Sequence, residues 1–490
     1  MRLPLLTAIL ATAAAAQAPG AFVLPRSPAE FTQSVPYSAV ESILKEADKA
    51  PHVTLTEEGK SVQGRSLWMV NLRRGSAENP WKVFLFGQQH GNEPAGKDAL
   101  VWMVDDLARH PEKLPEGIDL YILPLVNPDG AEAYQRRNAN NRDLNRDHIT
   151  LGEPETQTLH RIAQRLLPHV SVDCHEFTRD SGDYADKGWS EWPLIMMDSA
   201  NHPLFDPTVT AAGLRQVDAM RPVMEAAGFN YTRYYVGDAP PDECRHSHPE
   251  LDDARNGLGA YGGLSFIIES GVYRNSSTPG SDLGQRVAAY HLLLSGFLQP
   301  NDPHREADRA AIAAARNRAL PPFLPTNYFW AAKGLQVRTL KVIDNSTSAT
   351  LEVPTASFFE DLIVKTVVPT PVGYAIGSEH AALFAPWFDR HGIRYTRLDA
   401  GRLVLGEVAS LERLETDDDP VYKRYGGRTI TKIGEPTQVQ LPAGSLLVDL
   451  DQPNGVKAAI FLEPGMFYGL AQFEQFAALR TGSLPLRIVE

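Results

Sequence analysis

Two cysteines among 490 residues exclude a disulfide-stapled scaffold and a cysteine-rich zinc finger. A basic surplus is missing as well. Lys and Arg number 47 against 60 Asp and Glu, a formal net charge of −13, which argues against a nucleic-acid binder. Glycine and proline, 37 of each, stay near ordinary usage, so collagen-like and low-complexity architectures are out. Beyond the N-terminus, no apolar run reaches the ~20 residues that a bilayer span requires. What is present is 43% apolar and 22% charged residues. That composition is globular, and at about 100–200 residues per domain the length suits several domains. None of these exclusions touches a metal held by histidine and carboxylate.

Residues 1–16 carry one charge, Arg2, then an apolar run from Leu3 to Ala16 with small residues at Ala14 and Ala16. This is the pattern of a secretory signal peptide, with cleavage expected before Gln17. The rival reading, a membrane anchor, is disfavoured because ~14 mostly alanine-like residues fall short of a span. The expectation is export to a periplasm or the extracellular medium. In such an oxidising space Cys174 and Cys244 have the option of pairing.

From residue 27 to about 300 the chain alternates two periodicities. Apolar runs at Trp81–Phe86, Leu120–Val126, Val170–Cys174 and Leu264–Ile268 predict buried strands. Between and after them, Leu100/Met103/Val104/Leu107, Leu159/Ile162/Ala163/Leu166, Leu214/Val217/Met220/Met224 and Val287/Tyr290/Leu294 have helical spacing. Asn127-Pro128-Asp129-Gly130 reads as a turn. Alternating strands and helices predict an α/β fold with a largely parallel sheet. A Pro-rich stretch near 301–325 predicts a linker. Residues 326–490 read as one or two β-rich mixed accessory domains, with strands near Val337–Val342, Ala349–Val353, Leu403–Val408 and Leu446–Val448. Helical patterns fall near Glu379–Arg390 and Met466–Arg480.

Several motifs fail. Gly257-Leu258-Gly259-Ala260-Tyr261-Gly262 fits GxGxxG but precedes its strand instead of following one. No GxSxG elbow occurs. His175-Glu176 opens like HExxH, yet Arg179 stands where the second histidine belongs.

One set of residues has convergent chemistry. His90 and Glu93 (in HGNE) follow a predicted strand and precede a predicted helix, and His175 ends another strand. Carboxyl ends of parallel strands lie on one sheet edge, where ligands bind. Two imidazoles and one carboxylate suit a catalytic zinc ion with an open position. Glu269 closes a hydrophobic strand, a costly place for a carboxylate without a partner or a job, and near a metal-bound water it suits a general base. Four arginines lie within Arg136–Arg146 and suit a carboxylate ligand. Each piece alone has a plainer reading: a solvated loop pair, a buried structural histidine, a salt-bridged edge carboxylate, a basic loop.

Taken together, HGNE at 90–93, NPDG at 127–130, RRNANNRDLNR at 136–146, DCHE at 173–176 and FIIES at 266–270 resemble the M14 (carboxypeptidase A-like) zinc carboxypeptidases, in the family's order. GKSVQGRSL at 59–67 resembles the family's early strand region. The resemblance is to the bacterial secreted type with a C-terminal extension. It implies a zinc-exopeptidase-like mixed, mostly parallel sheet flanked by helices. It implies one Zn2+ on His90, Glu93 and His175, with Glu269 as general base and acid and Arg136 polarising the scissile carbonyl. Asn145 and Arg146 would bind the terminal carboxylate of a peptide substrate.

The match also has departures. No tyrosine stands about twenty residues before Glu269, where pancreatic-type members carry one; Tyr261 is the nearest substitute. Asp252 or Asp253 would favour basic terminal residues, unless they form a solvated acidic loop. Two rival functions stay open: a zinc amidase or cell-wall peptide hydrolase of the same fold, and a catalytically silent carboxylate-binding protein.

Overall fold

The computed structural model describes residues 22–273, 283–332, 337–415, 428–467 and 469–490. The expected signal peptide at 1–16 lies outside them. Strands run in chain order β1 (Val53–Lys60), β2 (Ser66–Arg73), β3 (Trp81–Gly87), β4 (Ile118–Leu123), β5 (Val170–Thr178), β6 (Trp189–Glu191), β7 (Ile195–Ser199), β8 (Tyr231–Arg233), β9 (Tyr235–Gly237), β10 (Cys244–His246) and β11 (Leu264–Val272). Eight of them form one mixed sheet in the order β1-β2-β4-β3-β5-β11-β7-β8. The pairs β4/β3, β3/β5, β5/β11 and β7/β8 are parallel; β1/β2, β2/β4 and β11/β7 are antiparallel. The expected α/β fold with a mixed, mostly parallel sheet holds: four of the seven strand pairings are parallel.

The central strands β3, β5 and β11 are buried on both faces, which is why they read as continuous apolar runs rather than alternating ones. Helices Pro94–Arg109 and Leu283–Gly296 cover one face, packing Leu100, Met103, Val287 and Leu294 into the main core. Helix Pro154–Leu166 covers the other through Leu159, Ile162 and Leu166. The sequence placed β5 and β11 correctly but ended them early, at Cys174 and Ile268; pairing carries both four residues further. The Asn127–Gly130 turn opens a short helix, Pro128–Glu132, with the Asn127 side chain accepting from Gly130 N.

The expected 301–325 connector is not a bare linker. It contains helix Arg305–Arg316, whose Ile312 packs into the main core and whose Arg316 donates to Tyr261 O and Pro168 O.

Beyond it lie β12 (Phe323–Ala332), β13 (Arg338–Asp344), β14 (Thr350–Thr355) and β15 (Phe358–Pro369). β15 joins β10, and β13 joins β6, so the C-terminal region extends strands from the loops around the carboxyl edge of the main sheet. A six-stranded sheet follows, with helices Ala381–His391 and Gly455–Leu462. The helical pattern expected near Met466–Arg480 resolves into short 3-10 turns, Leu470–Gln472 and Glu474–Arg480, while helix Gly455–Leu462 was not anticipated. Its apolar residues are buried almost all round, so it lacked the one-faced pattern that marks a surface helix.

Cys174 and Cys244 are both buried and free; the optional disulfide is not formed.

Candidate metal centre

His90 and Glu93 sit on the loop between β3 and helix Pro94–Arg109, with Glu93 at the N-cap position and Pro94 starting the helix. Gly91 lets this loop lie directly on the Asn127–Gly130 turn; a Cβ there would stand 2.0 Å from the Gly130 carbonyl carbon. His175 comes from β5, directly opposite Glu269 of β11 in register.

One ligand atom from each of His90, Glu93 and His175 lies within 4.8 Å of the others, and all three side chains are buried. His90 Nδ1 is 2.8 Å from Glu93 Oε1, His175 Nδ1 is 2.9 Å from Glu93 Oε2, and the two Nδ1 atoms are 3.1 Å apart. The far nitrogens face carboxylates: His90 Nε2 lies 2.9 Å from Asp143 Oδ1, and His175 Nε2 2.8 Å from Asp173 Oδ2. With a cation held among them, each Nε2 would carry the proton and each Nδ1 would present a lone pair inward. Two lone pairs and a carboxylate crowded this closely repel one another unless a cation lies among them. The donor set is one that zinc favours, so the residues fit the metal.

Asp143 also receives Arg136 Nε at 3.0 Å and the Asn145 backbone N–H at 3.1 Å. Burial alone would raise its pKa, but His90 and Arg136 hold it far below the ordinary carboxylate range. Arg136 Nη1 is 3.3 Å from Glu93 Oε1, so the guanidinium reaches the rim of the ligand cluster. Glu269 is buried, and its Oε2 has no hydrogen-bond partner. Burial pushes its carboxyl up to about 8; Glu93 adds to the rise while His175 and Arg136 oppose it. A carboxylate so placed holds or yields a proton near neutral pH.

Asn145 and Arg146 lie on the 3-10 turn Leu144–Arg146, and both line the same cleft as His90, Glu93, Arg136 and Glu269. The cleft encloses about 860 Å³. Asn145 Oδ1 accepts from Ala254 N at 2.9 Å, and Arg146 Nε lies 3.5 Å from Asp252 Oδ2. Asp252 and Asp253 are both buried, so the solvated-loop reading fails; Asp253 faces the cleft and is ion-paired with Arg255. Tyr261 is not a cleft residue. It is buried against His160, whereas Tyr234 lines the cleft. His248, Glu250 and Asp252 form a second convergence, but His248 pairs with Glu250 and Arg146 with Asp252, so ion pairs account for it.

Thus every site residue expected from sequence lines one cleft except His175, which is absent from the lining but converges with His90 and Glu93. Sequence reasoning missed Asp143 and Asp173. Both had a signal: Asp173 stands two residues before His175 and so shares its strand face, and Asp143 lies within the arginine cluster.

Residues 40–180 match the zinc carboxypeptidase family, Peptidase_M14. The chain is 26% identical over 463 residues to Carboxypeptidase 2 of Trichophyton tonsurans, covering 88% of this chain and 82% of that one. It is 35% identical over 119 residues to Carboxypeptidase SOL1 of Arabidopsis thaliana, covering 21% of this chain and 24% of that one. Among solved structures, the carboxypeptidase A of Helicoverpa armigera superposes with a TM-score of 0.44 at 20% identity, over 60% of this chain and 78% of that one.

Proposed function

We propose that this chain, which carries a Peptidase_M14 zinc carboxypeptidase domain, is an exported metallocarboxypeptidase that hydrolyses C-terminal peptide bonds with Glu269 as general base. The observation that carries the reading is the pair of inward Nδ1 atoms on His90 and His175, fixed from behind by Asp143 and Asp173 and facing Glu93. His90, Glu93 and His175 would hold one Zn2+, which when bound supplies Lewis acidity and brings the pKa of a water from 15.7 toward about 7. The residues do the rest. Glu269 takes a proton from the attacking water and later gives it to the leaving amine. Arg136, a fixed cation at the rim, stabilises charge developing on the carbonyl oxygen; loss of one such donor costs roughly 10²–10³ in rate. Asn145 and Arg146 bind the terminal carboxylate, and the surrounding cleft admits the peptide. Export rests on the residue pattern at 1–16, and no helix among the described residues is long and apolar enough to cross a membrane.

The test pairs metal analysis with hydrolysis of N-blocked dipeptides bearing free or amidated C-termini. Bound zinc and strong preference for the free carboxylate, weakened through KM in Arg146→Ala, are expected. Equal turnover of amidated substrates would favour an amidase acting on cell-wall peptides. Zinc without turnover of either substrate would favour a silent binding protein.

A further inference from the structure

A line of buried side chains leaves the metal centre and ends in the C-terminal region. Asp173 Oδ2, which holds His175 Nε2, also accepts from Gln89 Nε2 at 2.7 Å. Gln89 Oε1 lies 2.9 Å from His148 Nε2, and His148 Nδ1 lies 3.0 Å from His160 Nε2. His160 Nδ1 faces two groups: the Tyr261 hydroxyl at 2.9 Å and Lys457 Nζ, from helix Gly455–Leu462, at 3.3 Å. Gln89, His148, His160 and Lys457 are all completely or almost completely buried.

The direction of these hydrogen bonds is fixed by what each group is able to do. An ionised carboxylate only accepts, so Gln89 must present its amide N–H to Asp173 and its oxygen to His148. His148 then donates from Nε2 and accepts at Nδ1, and His160 donates from Nε2 and accepts at Nδ1. The far end therefore needs a donor. The Tyr261 hydroxyl is one such donor: it accepts from Gln164 Nε2 at 3.1 Å, which leaves its proton for His160 Nδ1. Lys457 offers N–H groups in either protonation form and stands over the Tyr261 ring, 3.9 Å from its centroid. Among the described residues no carboxylate lies within ion-pair distance of it, so the site retains a buried lysine without the usual compensation.

We propose that Lys457 is a positioning residue of the metal centre: together with the Tyr261 hydroxyl, its N–H groups hold the tautomers of His160 and His148, and through Gln89 and Asp173 the orientation of His175. The C-terminal region is then part of the zinc site rather than an appendage. The inference rests on the zinc reading above. A branch reaches the substrate side too, because Gln89 Nε2 lies 3.3 Å from Asn145 Oδ1, and the same amide orientation leaves the Asn145 amide nitrogen free to face the cleft.

The test uses the full chain. Zinc affinity is measured by competition with a chelator in wild type, Lys457→Met, Lys457→Gln, Tyr261→Phe and the Lys457→Met/Tyr261→Phe double variant, alongside the melting temperature of each metal-free protein. Direct outer partners of metal ligands are worth 10–100-fold in affinity; for this more distant residue Lys457→Met is expected to weaken zinc about 3–10-fold. Tyr261→Phe, which removes the other donor, is expected to weaken zinc as well, the double variant more than either, and Lys457→Gln, which keeps a donor, to recover part of the loss. The variants should also raise KM more than they lower kcat. If Lys457→Met is folded and binds zinc as wild type does, the proposal is overturned. If wild type itself binds no zinc, it is the metal reading that fails. Selective 15N labelling of histidine supplies a check that needs no variant: His148 and His160 must both be protonated at Nε2, and Nδ1 protonation at either would also overturn the proposal.

Discussion

Asp143 accepts from His90 Nε2 on one carboxylate oxygen and from Arg136 Nε on the other, at 2.9 and 3.0 Å. One side chain thus orients a metal ligand and the cation proposed to stabilise the reacting carbonyl. Asp143→Ala should consequently lower zinc affinity by roughly 10–100-fold and also reduce kcat when zinc is supplied in excess. Chelator competition measures the first effect and zinc-saturated kinetics the second. Full recovery of kcat at saturating zinc would show that Arg136 does not need this support.

Glu269→Gln should abolish turnover while zinc remains bound, since the carboxylate is not among the three converging ligands. Loss of a general base costs roughly 10²–10⁴-fold. The pH dependence follows from its burial. Glu269 acts as a base only when ionised, and burial raises its pKa from 4.5 to about 8. Activity must then rise with pH along a limb above the ordinary carboxylate range, displaced downward by any bound cation. A plot of kcat/KM against pH checks this. A flat profile from pH 5 to 8 would remove Glu269 from the role.

Gly91→Ala tests how the two site loops meet. The added methyl would stand 2.0 Å from the Gly130 carbonyl carbon and 2.3 Å from Ala131 N, both backbone atoms that cannot swing aside. Overpacking of this kind costs roughly 1–3 kcal/mol. Because the loop carries His90 and Glu93, zinc affinity should fall together with the denaturant midpoint.

Much of this was legible in the sequence because parallel topology converts strand order into spatial convergence. Once Trp81–Phe86, Val170–Cys174 and Leu264–Ile268 are read as neighbouring strands, His90, His175 and Glu269 must share an edge. Strand lengths were less legible: β5 and β11 continue through polar residues whose pairing only the sheet supplies. The C-terminal region was the least legible. Its contacts with β6 and β10 are strand pairings between segments more than a hundred residues apart, and backbone hydrogen bonds leave little imprint on side-chain type. Lys457 was invisible for the opposite reason: in a run of apolar residues, GVKAAIFL, a lone lysine reads as the exposed position of an amphipathic helix, whereas the fold buries it completely.

Burying Lys457 has a thermodynamic consequence separable from its proposed positioning role. Burial holds its ammonium well below the ordinary 10.5. A group whose folded pKa is depressed contributes stability that is present above its unfolded pKa and is lost as pH falls toward the folded one. In that window the unfolded chain takes up a proton that the native chain does not, and the difference amounts to about 1.4 kcal/mol for each pH unit. Lys457→Met has no such proton. Its metal-free form should accordingly gain stability relative to wild type as pH is lowered from 10 toward neutrality, even as its zinc affinity falls. Denaturant titrations of both metal-free proteins at pH 7, 8.5 and 10 measure the difference. A variant that loses stability at every pH, with zinc affinity unchanged, would reduce Lys457 to ordinary packing; stability gained while zinc is lost is the signature of a residue kept for the metal centre at the expense of the fold.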